Sequence, residues 1–365
     1  MSAVAETPSR AGETTSPLWL FSMPVDLSVF LGSALVSLAL LWIGARAGLL
    51  GGATPEWAWV PCVLLIDVAH VYSTSFKVYL DTAEVRRRPL LYAAVPIVGF
   101  VVAVALYTMG SLVFWRALAY LAVFHFVRQQ YGWVALYRSR RGEHDRLGHW
   151  LDAATVYAAT LYPLAYWHAN LPRRFWWFLE GDFQLALPSM AVTVFGWIYV
   201  GLLAAYVVRS GHAWLVSRRP NPGKDIVVVS TAVCWYAGIV AYNSDYAFTV
   251  TNVIVHGVPY LALVWFSSAR RSTAIPGTVF TRFFGRGVLV FLATLWALAY
   301  VEELVWDRAV WQDRAWLFGE GWDATGWHFL IVPLLAVPQI VHYMLDGFIW
   351  KRRERGSSTH QYRAR

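Results

Sequence analysis

The strongest constraint on this chain is a succession of apolar runs, each about as long as a bilayer is thick, joined by short polar loops. A helix needs roughly 20 mostly apolar residues to cross a hydrocarbon core. Ten segments meet that need: Leu27–Ala45, Trp57–Leu80, Leu90–Met109, Trp115–Leu136, Trp150–Trp167, Met190–Val208, Ile226–Tyr242, Val250–Ser267, Gly287–Glu302 and Phe329–Trp350. The sequence therefore predicts an all-α fold, a polytopic transmembrane bundle of about ten spans. Composition agrees, with 58% hydrophobic and only 14% charged residues, where soluble chains carry about a quarter charged. That balance excludes a disordered protein and an ordinary cytosolic enzyme. Cys62 and Cys234 sit inside apolar runs and form neither a metal motif nor a disulfide framework.

Three parts are expected along the chain. Residues 1–16, rich in Ser, Thr, Glu and Ala, read as a flexible cytoplasmic tail without the pattern of a cleaved signal peptide. Residues 17–350 form one transmembrane domain, and residues 351–365 a basic cytoplasmic tail.

The net charge of +8 is distributed as a membrane protein distributes it. Twenty-one Lys and Arg fall in the loops after the second, fourth, sixth and eighth spans and in the C-terminal tail, against six on the other side. By the positive-inside bias both termini are cytoplasmic, and the expected location is the inner (plasma) membrane. No continuous basic stretch or helix offers a nucleic-acid surface. The expected partners are the lipid bilayer, a lipophilic small-molecule substrate and an electron donor.

Ionisable residues inside spans are costly and mark candidate sites. In the second span Asp67, His70, Thr74, Lys77 and Asp81 follow at steps of three and four, which puts them on one helix face. The fourth span carries His125, Arg128, Gln129 and Gly132 on one face. Gly132 would admit a close neighbour, and Arg128 needs an anionic partner, with Asp81 or a substrate acid as candidates. The eighth span carries Asn252, His256 and Tyr260 at steps of four, and the tenth carries Gln339, His342, Tyr343 and Asp346.

The four mid-span histidines all lie on even-numbered helices. They stand nine to sixteen residues before the next cytoplasmic basic residue, a depth of about 14–24 Å along a helix. Four imidazoles at similar depth, with carboxylates or amides about a turn away, predict a metal site. Imidazole with carboxylate suits non-haem iron. The expected ligands are His70, His125, His256 and His342. Asp67, Arg128, Tyr260 and Asp346 are the expected catalytic residues, and Tyr72 and Tyr343 are further hydrogen-bond donors. Two other classes compete. A proton-coupled transporter would use Asp67, Lys77, Asp81 and Arg128. A haem protein would use two of the histidines as axial ligands.

The stretches from His125 to Gly132 and from His342 to Lys351 resemble those of uncharacterised polytopic bacterial membrane proteins, as do Asp67–His70 and Asn252–Gly257. More loosely, the chain looks like the bacterial membrane carotene oxygenases, all-helical proteins with histidines spread over several spans. That resemblance implies an oxygenase acting on an isoprenoid. The paired-histidine boxes of membrane desaturases do not occur here.

Overall fold

A computed structural model describes residues 18–184, 186–274 and 278–349, with the side chain of Ala274 not among them. The two predicted tails, with Lys351 and His360, lie outside the described residues. Among the described residues regular structure is entirely helical. Ten long helices carry it: α1 Met23–Arg46, α2 Glu56–Val78, α3 Pro89–Met109, α4 Ser111–Arg141, α5 Arg146–Ala169, α6 Ser189–Leu215, α7 Pro222–Ala241, α8 Asp245–Thr273, α9 Val288–Trp311 and α10 Thr325–Ile349. Each overlaps one predicted span. Among the described residues nine are long and apolar enough to cross a membrane. The exception is α5, long enough at 24 residues but without a sufficiently apolar stretch, with His149, Asp152 and His168 along it.

Local chemistry sets the helix ends. Asp145 caps α5 by accepting from the Gly148 N–H at 2.9 Å. Asn221 precedes α7, whose first residue, Pro222, has no N–H to leave unpaired. Gly142, at φ 74°, turns the chain out of α4 in the left-handed region that glycine enters freely.

The helices form two flanks and a centre. On one flank α5 lies against α6 and α7; on the other α3 lies against α4 and α10. Between them α2 packs on α8, α9 and α10, and α4 also reaches α10. The helices that predicted the histidines therefore meet in the interior. Two of them are wound as π-helix just before the histidine they carry, over Val60–Val68 ahead of His70 and Thr249–Val253 ahead of His256. Similar stretches at Leu27–Gly32, Tyr236–Ala241 and Asp307–Trp311 lie on α1, α7 and α9, which carry none of these histidines, so the winding by itself does not mark the site.

The basic loops gather at one end of the bundle. There Arg138, Arg209 and Lys224 meet Glu143, Asp145 and Asp152, joining the end of α4 to α5, α6 and α7. The chain ahead of α1 reaches the same end, where Arg140 Nε donates to the Trp19 carbonyl at 3.1 Å. A bundle so arranged has one basic face, and that face is expected in the cytoplasm. Reporter fusions after Arg88, Arg141, Arg219 and Arg271 should all report cytoplasm; an external report from any two would overturn this topology.

Candidate metal centre

His70, His125, His256 and His342 converge. All four are buried, at 0–3% exposure, and one ring nitrogen from each lies within 4.8 Å of the others. The rings form a closed cycle, each edge-on to two neighbours. Centroid separations around it are 4.7 Å for His70–His256, 5.1 Å for His256–His125, 4.4 Å for His125–His342 and 4.8 Å for His342–His70. Nε2 of His256 is 3.1 Å from Nε2 of His70, and Nε2 of His342 is 3.0 Å from Nε2 of His125.

Packing brings the rings this close. Beside His256, Gly257 faces α2: a Cβ there would stand 2.5 Å from Ile66 Cγ2 and 3.3 Å from the Ile66 carbonyl. Only a residue without a side chain lets α8 approach α2 at the level of His70. Phe126 lies flat on the His256 ring at 3.5 Å. From α4, Gln129 Nε2 donates to the His256 carbonyl at 2.8 Å. Among the described residues the Asn252 side-chain oxygen and Nδ1 of His256 have no hydrogen-bond partner.

One chain of hydrogen bonds decides which nitrogen of His342 faces the centre. Tyr260 Oη donates to Asp346 Oδ1 at 2.7 Å. With that proton committed to the carboxylate, Tyr260 oxygen accepts from Thr74 Oγ1, 2.7 Å away. Thr74 has then used its only proton, so it must accept from His342 Nδ1, also at 2.7 Å. The proton of neutral His342 is thus on Nδ1, and its Nε2 lone pair points at His125 and the centre of the cycle. Two carboxylates complete the surroundings. Asp67 Oδ1 is 3.6 Å from His70 Nδ1, and Asp346 Oδ2 is 3.7 Å from His125 Nδ1.

These residues fit a metal ion. An acceptor nitrogen 3.0 Å from a second one repels it unless a proton or a cation lies between them. Metal–nitrogen bonds of about 2.0–2.1 Å set neighbouring nitrogens of a tetrahedral site about 3.3 Å apart, close to the two facing separations. Small ring movements would draw the widest pair onto the same ion. Asp67 and Asp346 stand where carboxylates orient ligating imidazoles. The other described histidines offer no such group. His168 bonds the Leu164 carbonyl and Tyr120, His328 the Ala309 carbonyl and His212 the Ser217 hydroxyl, while His144 is exposed in a loop.

Several expectations are corrected. Arg128 is not part of the site: it lies on the exposed side of α4, donates to the Tyr157 hydroxyl and sits 5.1 Å from the Tyr131 ring. Asp81 is not its partner, because Asp81 pairs with Arg271 and caps the short helix Thr82–Arg87. Helix α4 turns Arg128 outward because its buried side is centred on Phe126, Gln130 and Trp133, with His125 at the edge of that side and Arg128 just beyond it. Gly132 makes no close approach, with nothing within 4 Å of a Cβ placed there. Lys77 donates to Ser267 Oγ at 3.2 Å. Tyr260 is present but acts through Thr74 and Asp346, and Tyr343 stands 5.0 Å from His125.

Sequence reasoning missed Thr74 as a link, although it had placed the residue on the right face. It also missed Glu302, buried on α9, which accepts from Trp306 Nε1 at 3.1 Å and from Gln339. Its signal was plain: Glu302 and Glu303 are acidic residues at the end of an apolar run. No family model, no curated protein and no solved structure matches the chain.

Proposed function

We propose that the chain is an integral-membrane, histidine-ligated non-haem iron enzyme, an oxygenase or related oxidoreductase acting on a lipid-like or isoprenoid substrate. The observation that carries this reading is the cycle of four buried imidazoles, with the His342 lone pair aimed inward by the Asp346–Tyr260–Thr74 chain. Nitrogen ligands with carboxylates close by suit iron, and the loose resemblance to membrane carotene oxygenases supports the same chemistry. When bound, iron would supply the activation of dioxygen.

The chain's own residues have separate tasks. His70, His125, His256 and His342 would hold the ion. Tyr260 and Thr74 hold the proton on His342 Nδ1, and Asp346 anchors that chain while facing His125. Asp67 faces His70 from one turn away. Phe126 covers the His256 ring, and burial of the whole set excludes water from the reaction. A haem fits this cycle less well, because each ring meets two others edge-on and no slot as wide as a porphyrin separates them.

Oxygen incorporation tests the reading. Iron-loaded protein in nanodiscs, given a reductant, ¹⁸O₂ and a mixture of isoprenoids and lipids, should yield ¹⁸O-labelled product that His342→Ala does not form. No label, together with proton-driven flux in liposomes, would replace the enzyme by a transporter. A strong Soret band in the purified protein would replace it by a haem protein.

A further inference from the structure

An open cavity of about 410 Å³ lies between α3, α4 and α10. Its walls include Val98, Val102 and Ala103 of α3, Leu118 of α4, and Ile340 and Met344 of α10, and no charged or hydrogen-bonding side chain lines it. The lining runs from Ala94 to Leu106 along α3, about 18 Å at the rise of a helix. The cavity is therefore long and narrow as well as apolar. Val98, Val102 and Met344 are exposed at its mouth, on helices apolar enough to cross a membrane. The mouth thus opens sideways, toward lipid.

On α10 the lining residues Ile340 and Met344 flank His342 in sequence and take the opposite side of that helix, so the cavity reaches toward the histidines along α4 and past Tyr343. Tyr343 packs in the same apolar cluster as Ala103, Phe114 and Leu118, three residues of the cavity wall. Its other side meets the His125 ring at a centroid distance of 5.0 Å. The residues that line the cavity on α4, Phe114, Leu118 and Leu121, lead along one helix face toward His125.

We infer that the cavity binds one free hydrocarbon chain, linear or isoprenoid, that enters from the bilayer between α3 and α10. Tyr343 is the positioning residue that sets how near the chain comes to His125. The absence of any cation or hydrogen-bond donor in the lining argues against a site built for a phosphate head group, because a buried anion needs such partners. Apolar pockets of 300–1,000 Å³ are the usual size for ligands of this kind. The inference deepens the proposed function and rests on it for the fate of the chain, not for its binding.

Photolabelling tests it without reference to activity. The full chain in nanodiscs is irradiated with a sixteen-carbon alcohol carrying a diazirine midway along its chain, and labelled residues are mapped by mass spectrometry. Label should concentrate on Val98, Val102, Leu121 and Met344, and excess unlabelled prenol should compete it away. Ala117→Trp and Val102→Trp, both at exposed positions of the lining, should each lower that label at least fivefold with bound metal unchanged. Val200→Trp, on the lipid-facing side of α6, should not lower it. Tyr343→Ala should extend the label to Ala122 and His125. Label spread over all exposed apolar positions, or label unaffected by either cavity variant, would overturn the inference and leave ordinary annular lipid. A diazirine phospholipid that labels the same residues as well as the alcohol does would also overturn it. Specific label in a protein without bound metal would keep the chain site and defeat the iron reading instead.

Discussion

His256→Ala, His70→Ala, His125→Ala and His342→Ala are each expected to lower metal affinity by well over tenfold, measured by metal analysis of detergent-purified protein. The wild type should hold about one iron per chain, the lower end of the one or two that a four-histidine set can serve. The expectation follows from burial. All four rings lie inside the protein and their nitrogens face one another, so no nearby water or loop can replace a deleted ligand cheaply. The same logic reaches one step outward. Thr74→Val keeps the shape but removes the acceptor of His342 Nδ1 and the donor to Tyr260. Loss of a group that orients a ligating imidazole typically weakens metal binding about 10–100-fold, and that is the expected effect of Thr74→Val. His144→Ala, on an exposed loop, should leave the metal in place. Full retention in all four histidine variants would remove the metal centre from this protein altogether.

The second large effect concerns stability. Asp152 is 0% exposed and accepts from three cations: Arg138, Arg209 at 2.9 Å and Lys224 at 3.0 Å. Glu143 shares two of them, accepting from Arg138 at 3.0 Å and from Lys224 at 2.6 Å. Arg138 and Lys224 are themselves buried. Asp152→Leu would leave these charges short of a partner in a region that water hardly reaches. Removing one side of a buried ion pair typically costs about 3–5 kcal/mol. A drop of that size is expected in the unfolding free energy of the protein in detergent, with less folded protein recovered. Arg87→Ala breaks the exposed pair with Glu84 and should cost under about 1 kcal/mol. If the two variants lost equal stability, the buried network would not be what ties α4, α5, α6 and α7 together.

Both predictions depend on groups that differ in how plainly the sequence announced them. His70, His125, His256 and His342 could be picked out because a histidine in an apolar run is costly wherever it lies, and four at one depth are hard to place separately. Their depth followed from helical rise alone. The partners of those histidines were harder to find. Asp67 and Asp346 stood out for the same reason of cost, whereas Thr74 did not, since a threonine is tolerated in any membrane helix by bonding its own backbone. Arg128 shows the limit of the face argument. It shares a helical face with His125, but the side that packs inward is rotated toward Phe126, Gln130 and Trp133, which leaves His125 at its edge and Arg128 outside it. The Arg138–Asp152–Lys224 network was half visible, as basic residues near span ends, but Glu143 and Asp145 looked like ordinary loop residues and Asp152 like the polar start of the fifth span.

The sequence by itself determined that this chain is a bundle of long apolar helices, because runs of that length and composition have no other way to satisfy their backbone in lipid. It also singled out four of the five histidines that are buried among the described residues, and their helices, leaving out His168 at the end of α5. The tertiary structure alone decided that those four rings close into one cycle, since their convergence depends on which helices are neighbours. It decided, through the missing side chain of Gly257, how close α8 comes to α2. It also decided the direction of the proton chain from His342 to Asp346, which needs four side chains from α2, α8 and α10 within hydrogen-bonding distance. Helix formation is local and shows in the order of residues. Registry between helices comes from packing across hundreds of residues, which no local pattern specifies.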